Sequence, residues 1–164
     1  MDIDDQLRMF YNGKIRQVFV YITSRCQLHC RQCLYKPLLC PESADISYET
    51  LRELLKTFKK MGAYKISFLG GEPTLYHDCE SNKIFTDVLK LCKIIGYRYI
   101  RFDTNGQFSK EFFEQKDINC ADEITFSLDG YNKETNDIVR GNGSFDRCVA
   151  NIRTAVQRGH KVQI

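Results

Sequence analysis

Apolar residues fall into two alternating rhythms along the chain. QVFVYIT, residues 17–23, is β-branched and aromatic and predicts a strand. Leu51, Leu54, Leu55, Phe58 and Met61 then recur at helical spacing, with Ser47 placed as N-cap and Gly62 as the stop. KISFL (65–69) predicts a second strand. Ile84, Phe85, Val88, Leu89, Cys92 and Ile95 line a second helix, which Gly96 ends. YRYIRF (97–102) predicts a third strand, SKEFFEQK (109–116) a short helix, and EITFSL (123–128) a fourth strand. Phe145, Cys148, Val149, Ile152, Ala155 and Val156 make another apolar helix face, stopped by Gly159, and KVQI (161–164) opens a fifth strand.

Strand alternating with helix predicts parallel βαβ units and an α/β fold. No Pro- or Ser-rich linker, low-complexity tract or further repeat interrupts the rhythm. Residues 1–15 are read as a leader and 16–164 as one core domain. The sequence stops on entering a strand, which would leave an open sheet edge. The expectation is the N-terminal part of a longer chain; a naturally short one would need a partner or dimer there.

Composition narrows the classes. A chain of 164 residues can bury a real core, and 43% hydrophobic with 27% charged residues is ordinary for a globular domain. A net charge of +3 is too small to argue for nucleic acid or a membrane surface. No apolar run approaches the ~18 residues of a membrane span. The polar, acidic start MDIDDQ is no secretory signal. Eight cysteines without such a signal point to metal binding in a reducing cytoplasm rather than to a disulfide scaffold.

The unusual residues gather where strands end. Cys26-x₃-Cys30-x₂-Cys33 follows the first strand and Gly70-Gly71-Glu72-Pro73 the second. Thr104-Asn105-Gly106 follows the third, and Ser127-Leu128-Asp129-Gly130 closes the fourth. Each alone reads as a turn. In parallel α/β sheets, though, the carboxyl edge is the ligand edge, and a single rim collects all of them.

Three thiolates in CQLHCRQC leave a four-ligand centre one short. Zinc could take Cys40 or His29 as its fourth ligand, and a chance group of free thiols is the plainest alternative. An iron–sulfur cluster held by Cys26, Cys30 and Cys33 would leave one iron open to another ligand. Cys92 and Cys148 fall on apolar helix faces and read as core thiols. Cys40, Cys79 and Cys120 fall in loops, where a second metal site stays open. His77 and the Lys59-Lys60 pair read as surface.

With the cysteine spacing and GGEP on successive strand ends, residues 18–164 resemble the radical S-adenosylmethionine (radical SAM) superfamily. The resemblance implies a partial (β/α) barrel, of which this chain would hold about four βα units and the start of a fifth strand. It implies a [4Fe–4S] cluster on Cys26, Cys30 and Cys33, with S-adenosylmethionine chelating the open iron. Reductive cleavage of that cofactor would give a 5′-deoxyadenosyl radical that abstracts hydrogen from substrate. Gly70, Gly71 and Glu72 would meet the methionine amino group largely through backbone, and Pro73 would fix the loop after them. Asn105, Ser127 and Asp129 would make polar contacts to the ribose and methionyl group. SLDGYNKETNDIVRGNGSF is similar to the subgroup with a SPASM or twitch extension, in which an Arg, here Arg140, pairs with the cofactor carboxylate. That subgroup implies a peptide or protein substrate and a reductant such as flavodoxin or ferredoxin. One position departs from the pattern: Gln32 stands where an aromatic residue usually precedes the third cysteine, and Tyr35 is the candidate substitute. A molybdopterin-pathway cyclase, a glycyl-radical activase (a class not expected to carry SLDG) and a non-catalytic metal-binding or scaffold domain are the alternatives.

Overall fold

A computed structural model describes residues 15–39 and 45–164. Its centre is a five-stranded sheet, parallel throughout, in the order β1-β2-β5-β6-β7. The strands are β1 (Gln17–Thr23), β2 (Lys65–Gly70), β5 (Tyr99–Thr104), β6 (Glu123–Phe126) and β7 (Val162–Gln163). A small antiparallel hairpin, β3 (His77–Asp78) with β4 (Lys83–Ile84), stands apart. The helices are α1 (Tyr48–Lys60), α2 (Phe85–Ile95), α3 (Lys133–Arg140) and α4 (Ser144–Gln157). This is the parallel α/β fold that the βα rhythm predicts, in the partial-barrel form that the family resemblance implies.

The sheet is amphipathic by alternation. Register stacks Ile66 beside Ile100 and Phe68 beside Phe102, with Ile124 next to Phe102, and all five are essentially unexposed. The rings of Phe68, Phe85, Phe102 and Phe112 meet edge to face with centroids 5.6, 5.1 and 6.2 Å apart, which adds directional contact to the area they bury. The alternate positions carry Ser67, Arg101, Asp103, Glu123 and Thr125, a polar face.

The helices begin and end by local chemistry. Ser47 Oγ accepts the Thr50 N–H at 3.2 Å and starts α1, and Gly62 (φ 102°) ends the turn beyond it. Leu51 and Leu55 are fully buried, whereas Leu54 and Met61 are exposed, so the core face of α1 is narrower than its apolar pattern. Ile84 lies outside α2: the Asp87 carboxylate caps its N–H at 3.0 Å, and the helix starts at Phe85.

Residues 109–116 do not form the expected α-helix. They split into 3₁₀ segments, Lys110–Glu114 and Lys116–Cys120, about an extended Gln115 whose Oε1 accepts from Thr86 Oγ1 at 2.9 Å. Phe112 and Phe113 are the only apolar residues of 109–116 and both are buried, but neither has an apolar partner three or four positions on within the segment, so no helix face extends. The third and fourth strands also shift against expectation, to Tyr99–Thr104 and Glu123–Phe126. Helix α3 was not foreseen.

Candidate active site

The rim forms in two steps, first by backbone. The β1–β2 register slips between Tyr21 and Thr23. There the Gly71 N–H donates to Thr23 O and the Glu72 N–H to Arg25 O, each at 2.8 Å, zipping GGEP onto the chain just ahead of Cys26. A Cβ on Gly70 would stand 2.4 Å from Thr23 O, and one on Gly71 2.1 Å from Arg25 O. The glycines are therefore demanded by strand-to-strand packing, whatever they also offer a ligand.

Glu72 is wholly buried and faces away from solvent. Its carboxylate accepts from Thr74 N (3.2 Å), Thr74 Oγ1 (2.7 Å), Thr104 Oγ1 (2.7 Å) and Asn105 N (2.7 Å). Burial raises its pKa above the usual carboxylate range, and these bonds oppose the rise. It is a buttress joining the ends of β2 and β5. Pro73 is buried and opens the 3₁₀ turn Pro73–Leu75. A second node escaped sequence reading: Asp45, whose side chain is unexposed, ion-pairs with Arg25 and accepts from Thr23 Oγ1 at 2.7 Å and His77 N at 2.8 Å.

Side chains build the other half. Asn132 caps α3 by accepting the Thr135 N–H at 2.9 Å. Buried Asn136 accepts the Asp129 N–H at 3.0 Å and donates to Ser144 Oγ at 2.9 Å. Asp137 caps the neighbouring helix α4, accepting from Gly143 N (2.7 Å) and Phe145 N (2.9 Å). A Cβ on Gly130 would stand 2.4 Å from Asn136 N, so SLDG needs its glycine to seat α3. Asn151, on α4, donates to Gly106 O and Phe108 O at 2.9 Å and holds the loop after β5.

Helix α3 fastens the cysteine loop. The Arg31 N–H donates to Val139 O at 2.9 Å, and Cys30 Sγ lies 3.9 Å from Arg140 O. Gln32 Nε2 and Arg140 Nε both reach Asp129 Oδ2, at 2.5 Å. The Arg140 contact is an ion pair without a well-aligned hydrogen bond, and its side chain is only 15% exposed. Its terminal nitrogens have no partner among the described residues.

Between these halves lies a cavity of about 250 Å³. Cys26, Cys30 and Cys33 line it together with Gly70, Gly71, Asn105, Ser127 and Arg140. Glu72 and Pro73 stand behind it, and Asp129 meets it through Gln32 and Arg140. Asn105 turns its amide to Cys26 Sγ (3.6 Å) and Gln27 Oε1 (3.2 Å), so in this structure it positions the first cysteine. Burial pushes the Cys26 and Cys30 thiols up; Leu28 N–H and the Asn105 amide oppose this at Cys26, and the Arg140 charge at Cys30.

The donor set suits a cluster. All three thiols are free and half-buried. Among the described residues, no group of three or more His, Cys, Asp and Glu side chains is close enough to grip a single ion. An iron–sulfur cluster takes one thiolate per iron, so three cysteines on one cavity would hold three irons and leave the fourth open to another ligand. Cys40 lies outside the described residues. Cys92 and Cys148 are buried, as expected of core thiols, and Cys79 is exposed.

Comparison with known proteins follows the same lines. The model of the Radical SAM superfamily matches residues 20–164. A GTP 3′,8-cyclase of Aquifex aeolicus is 29% identical over 151 residues, 88% of this chain and 45% of that protein. The structure of Streptococcus suis SuiB bound to precursor peptide SuiA superposes with a TM-score of 0.75 at 21% identity, covering 96% of this chain and 34% of that one. The structure of anSMEcpe with bound AdoMet gives 0.71 at 21% identity, covering 91% and 42%. The chain thus spans less than half the length of these relatives. The family uses a [4Fe–4S] cluster and S-adenosylmethionine, the groups that this donor set and cavity suit. On the match across residues 20–164, the chain belongs to the Radical SAM superfamily.

Proposed function

We propose that residues 16–164 are the N-terminal part of a radical SAM core, preceded by a leader at 1–15, and that the whole protein modifies a peptide or protein substrate. One observation carries the reading: a single cavity gathers Cys26, Cys30 and Cys33 with Gly70, Gly71, Ser127 and Arg140. Bound there, the cluster and S-adenosylmethionine supply one-electron hydrogen-atom abstraction. The protein's part is to hold and orient. The three cysteines ligate; Asn105 fixes Cys26; Arg140 keeps its terminal nitrogens for a carboxylate fork; Asp129 braces Arg140 and offers its second oxygen to a hydroxyl. The reading includes an electron donor such as flavodoxin or ferredoxin, and a reducing cytoplasm. No helix among the described residues is long and apolar enough to cross a membrane.

The peptide assignment rests on SLDG…RGNGSF and on charge. On the polar face below the cavity, Arg101 pairs with Asp103 (2.9 Å) and Lys161 with Glu123 (2.5 Å), so these cations are already matched. A triphosphate would ask for unmatched ones. The cyclase relative supports a second reading, GTP as substrate. Both are tested by reconstituting the protein anaerobically with iron and sulfide, reducing it, and measuring 5′-deoxyadenosine release. Release stimulated by peptides encoded beside its gene supports the first reading, and stimulation by GTP alone supports the second. No release under any condition, with the cluster present, counts against both.

A further inference from the structure

Among the described residues, Tyr35 is the one aromatic residue that lines the cavity gathering the cysteines, and with Tyr21 it also borders a second cavity beside Gly70 and Gly71. The position of Tyr35 is fixed twice. The Tyr35 carbonyl accepts from Leu38 N (2.7 Å) and Leu39 N (3.1 Å), which pins its backbone at the head of the 3₁₀ turn Lys36–Leu38. Its ring packs against Tyr21 with centroids 4.7 Å apart and planes at 75°. Tyr21 lies on β1 and remains half exposed.

Gln32 cannot do the work of a ring. Its amide donates to Asp129 Oδ2, the oxygen that Arg140 also contacts, so it serves as a clasp between the cysteine loop and the residues ahead of α3. The lining also holds the aliphatic side chains of Leu28, Leu69 and Leu34, the last 86% exposed. Among the described residues of the lining, only Tyr35 can offer a planar, π-rich ligand a stacking partner.

We propose that Tyr35 is the platform on which the base of the bound nucleoside stacks, replacing a ring at position 32. The inference rests on the reading that this cavity holds S-adenosylmethionine. Stacking is tolerant of which base is present, so the contact recognises a planar heterocycle rather than one pattern of hydrogen-bonding groups. It also separates two parts of one ligand: Arg140 meets the amino-acid end and Tyr35 the nucleoside end.

The test is equilibrium dialysis of the reconstituted protein against S-adenosylmethionine and, separately, methionine. Tyr35→Leu should raise the dissociation constant for S-adenosylmethionine roughly 5- to 150-fold, the usual range for losing one base–aromatic stack. Tyr35→Phe should stay within about twofold, because the ring face is kept. Methionine affinity should not change in either variant. Iron content and melting temperature, read on the same samples, show whether Tyr35→Leu keeps its cluster and fold. Unchanged S-adenosylmethionine binding in Tyr35→Leu overturns the proposal and leaves the wider reading intact. So does an equal loss for methionine, which would make the ring structural. Wild-type protein that carries its cluster but binds no S-adenosylmethionine overturns both.

Discussion

The rim has two halves, and they are built differently. Around Gly70–Glu72 and Thr23–Cys26 it is held by backbone bonds at van der Waals limits, with no room for a Cβ. Around Asp129–Arg140, Gly130 is packed as tightly, but most of the contacts are made by carboxylates and amides that can shift or be exchanged. A backbone zip fixes where the cysteine loop starts. A side-chain strap fixes where it leans. The first half should therefore fail outright when altered, and the second by degrees.

The largest effect should come from Gly71→Ala. No rotamer relieves a Cβ 2.1 Å from Arg25 O, so the loop must move; we expect a loss of about 3 kcal/mol in urea unfolding and failure to load iron. Wild-type stability would show that the zip is adaptable and break the comparison. Next is Glu72→Gln, which places an amide where four donors converge on a buried carboxylate; it should cost about 2 kcal/mol by the same assay.

In the strapped half the effects should be smaller and confined to ligand. Arg140→Lys keeps the charge and loses the fork, so S-adenosylmethionine affinity should fall about tenfold with the melting temperature nearly unchanged. A drop in melting temperature comparable to that of Glu72→Gln would show the strap to be structural.

Asp137 gives the strap a pH dependence. Burial acts to raise its carboxyl pKa, but the N–H groups of Phe145 and Gly143 outweigh this and hold it below the usual range. A depressed folded pKa adds stability above the unfolded value, which is lost as pH falls through the folded one. Wild-type protein should thus lose stability on acidification below the ordinary aspartate range more steeply than Asp137→Asn. Parallel curves would contradict this. The smallest effect is expected from Gln32→Leu, whose exposed clasp should change stability by under about 1 kcal/mol.

Legibility followed the same division. β1 and the spans of α1 and α4 could be read because their residues repeat at strand or helix period. The cysteine loop and GGEP could be read because few chemistries use that spacing. Helix α3 lacked the signal: it is eight residues long, and Ile138 is exposed, so no apolar face announces it. Its cap Asn132, its final Arg140 and the following Gly141 were boundary marks that could have found it. Phe112 and Phe113 misled, because two apolar neighbours look helical in composition while burying as a 3₁₀ turn. The buttresses Asp45 and Asn151 were legible only as residue types, since the partners they join lie 20 or more positions away, and so do the Thr104 and Asn105 groups that Glu72 holds.

The central claim is that Cys26, Cys30 and Cys33 present one cluster site to this cavity. The most direct measurement is iron and acid-labile sulfide per chain after anaerobic reconstitution, for wild type and Cys30→Ala. The account predicts about four of each in wild type, with a visible band that bleaches on reduction, and loss of both signals in the variant. One zinc per chain with no sulfide, or iron and sulfide content unchanged in Cys30→Ala, would contradict it.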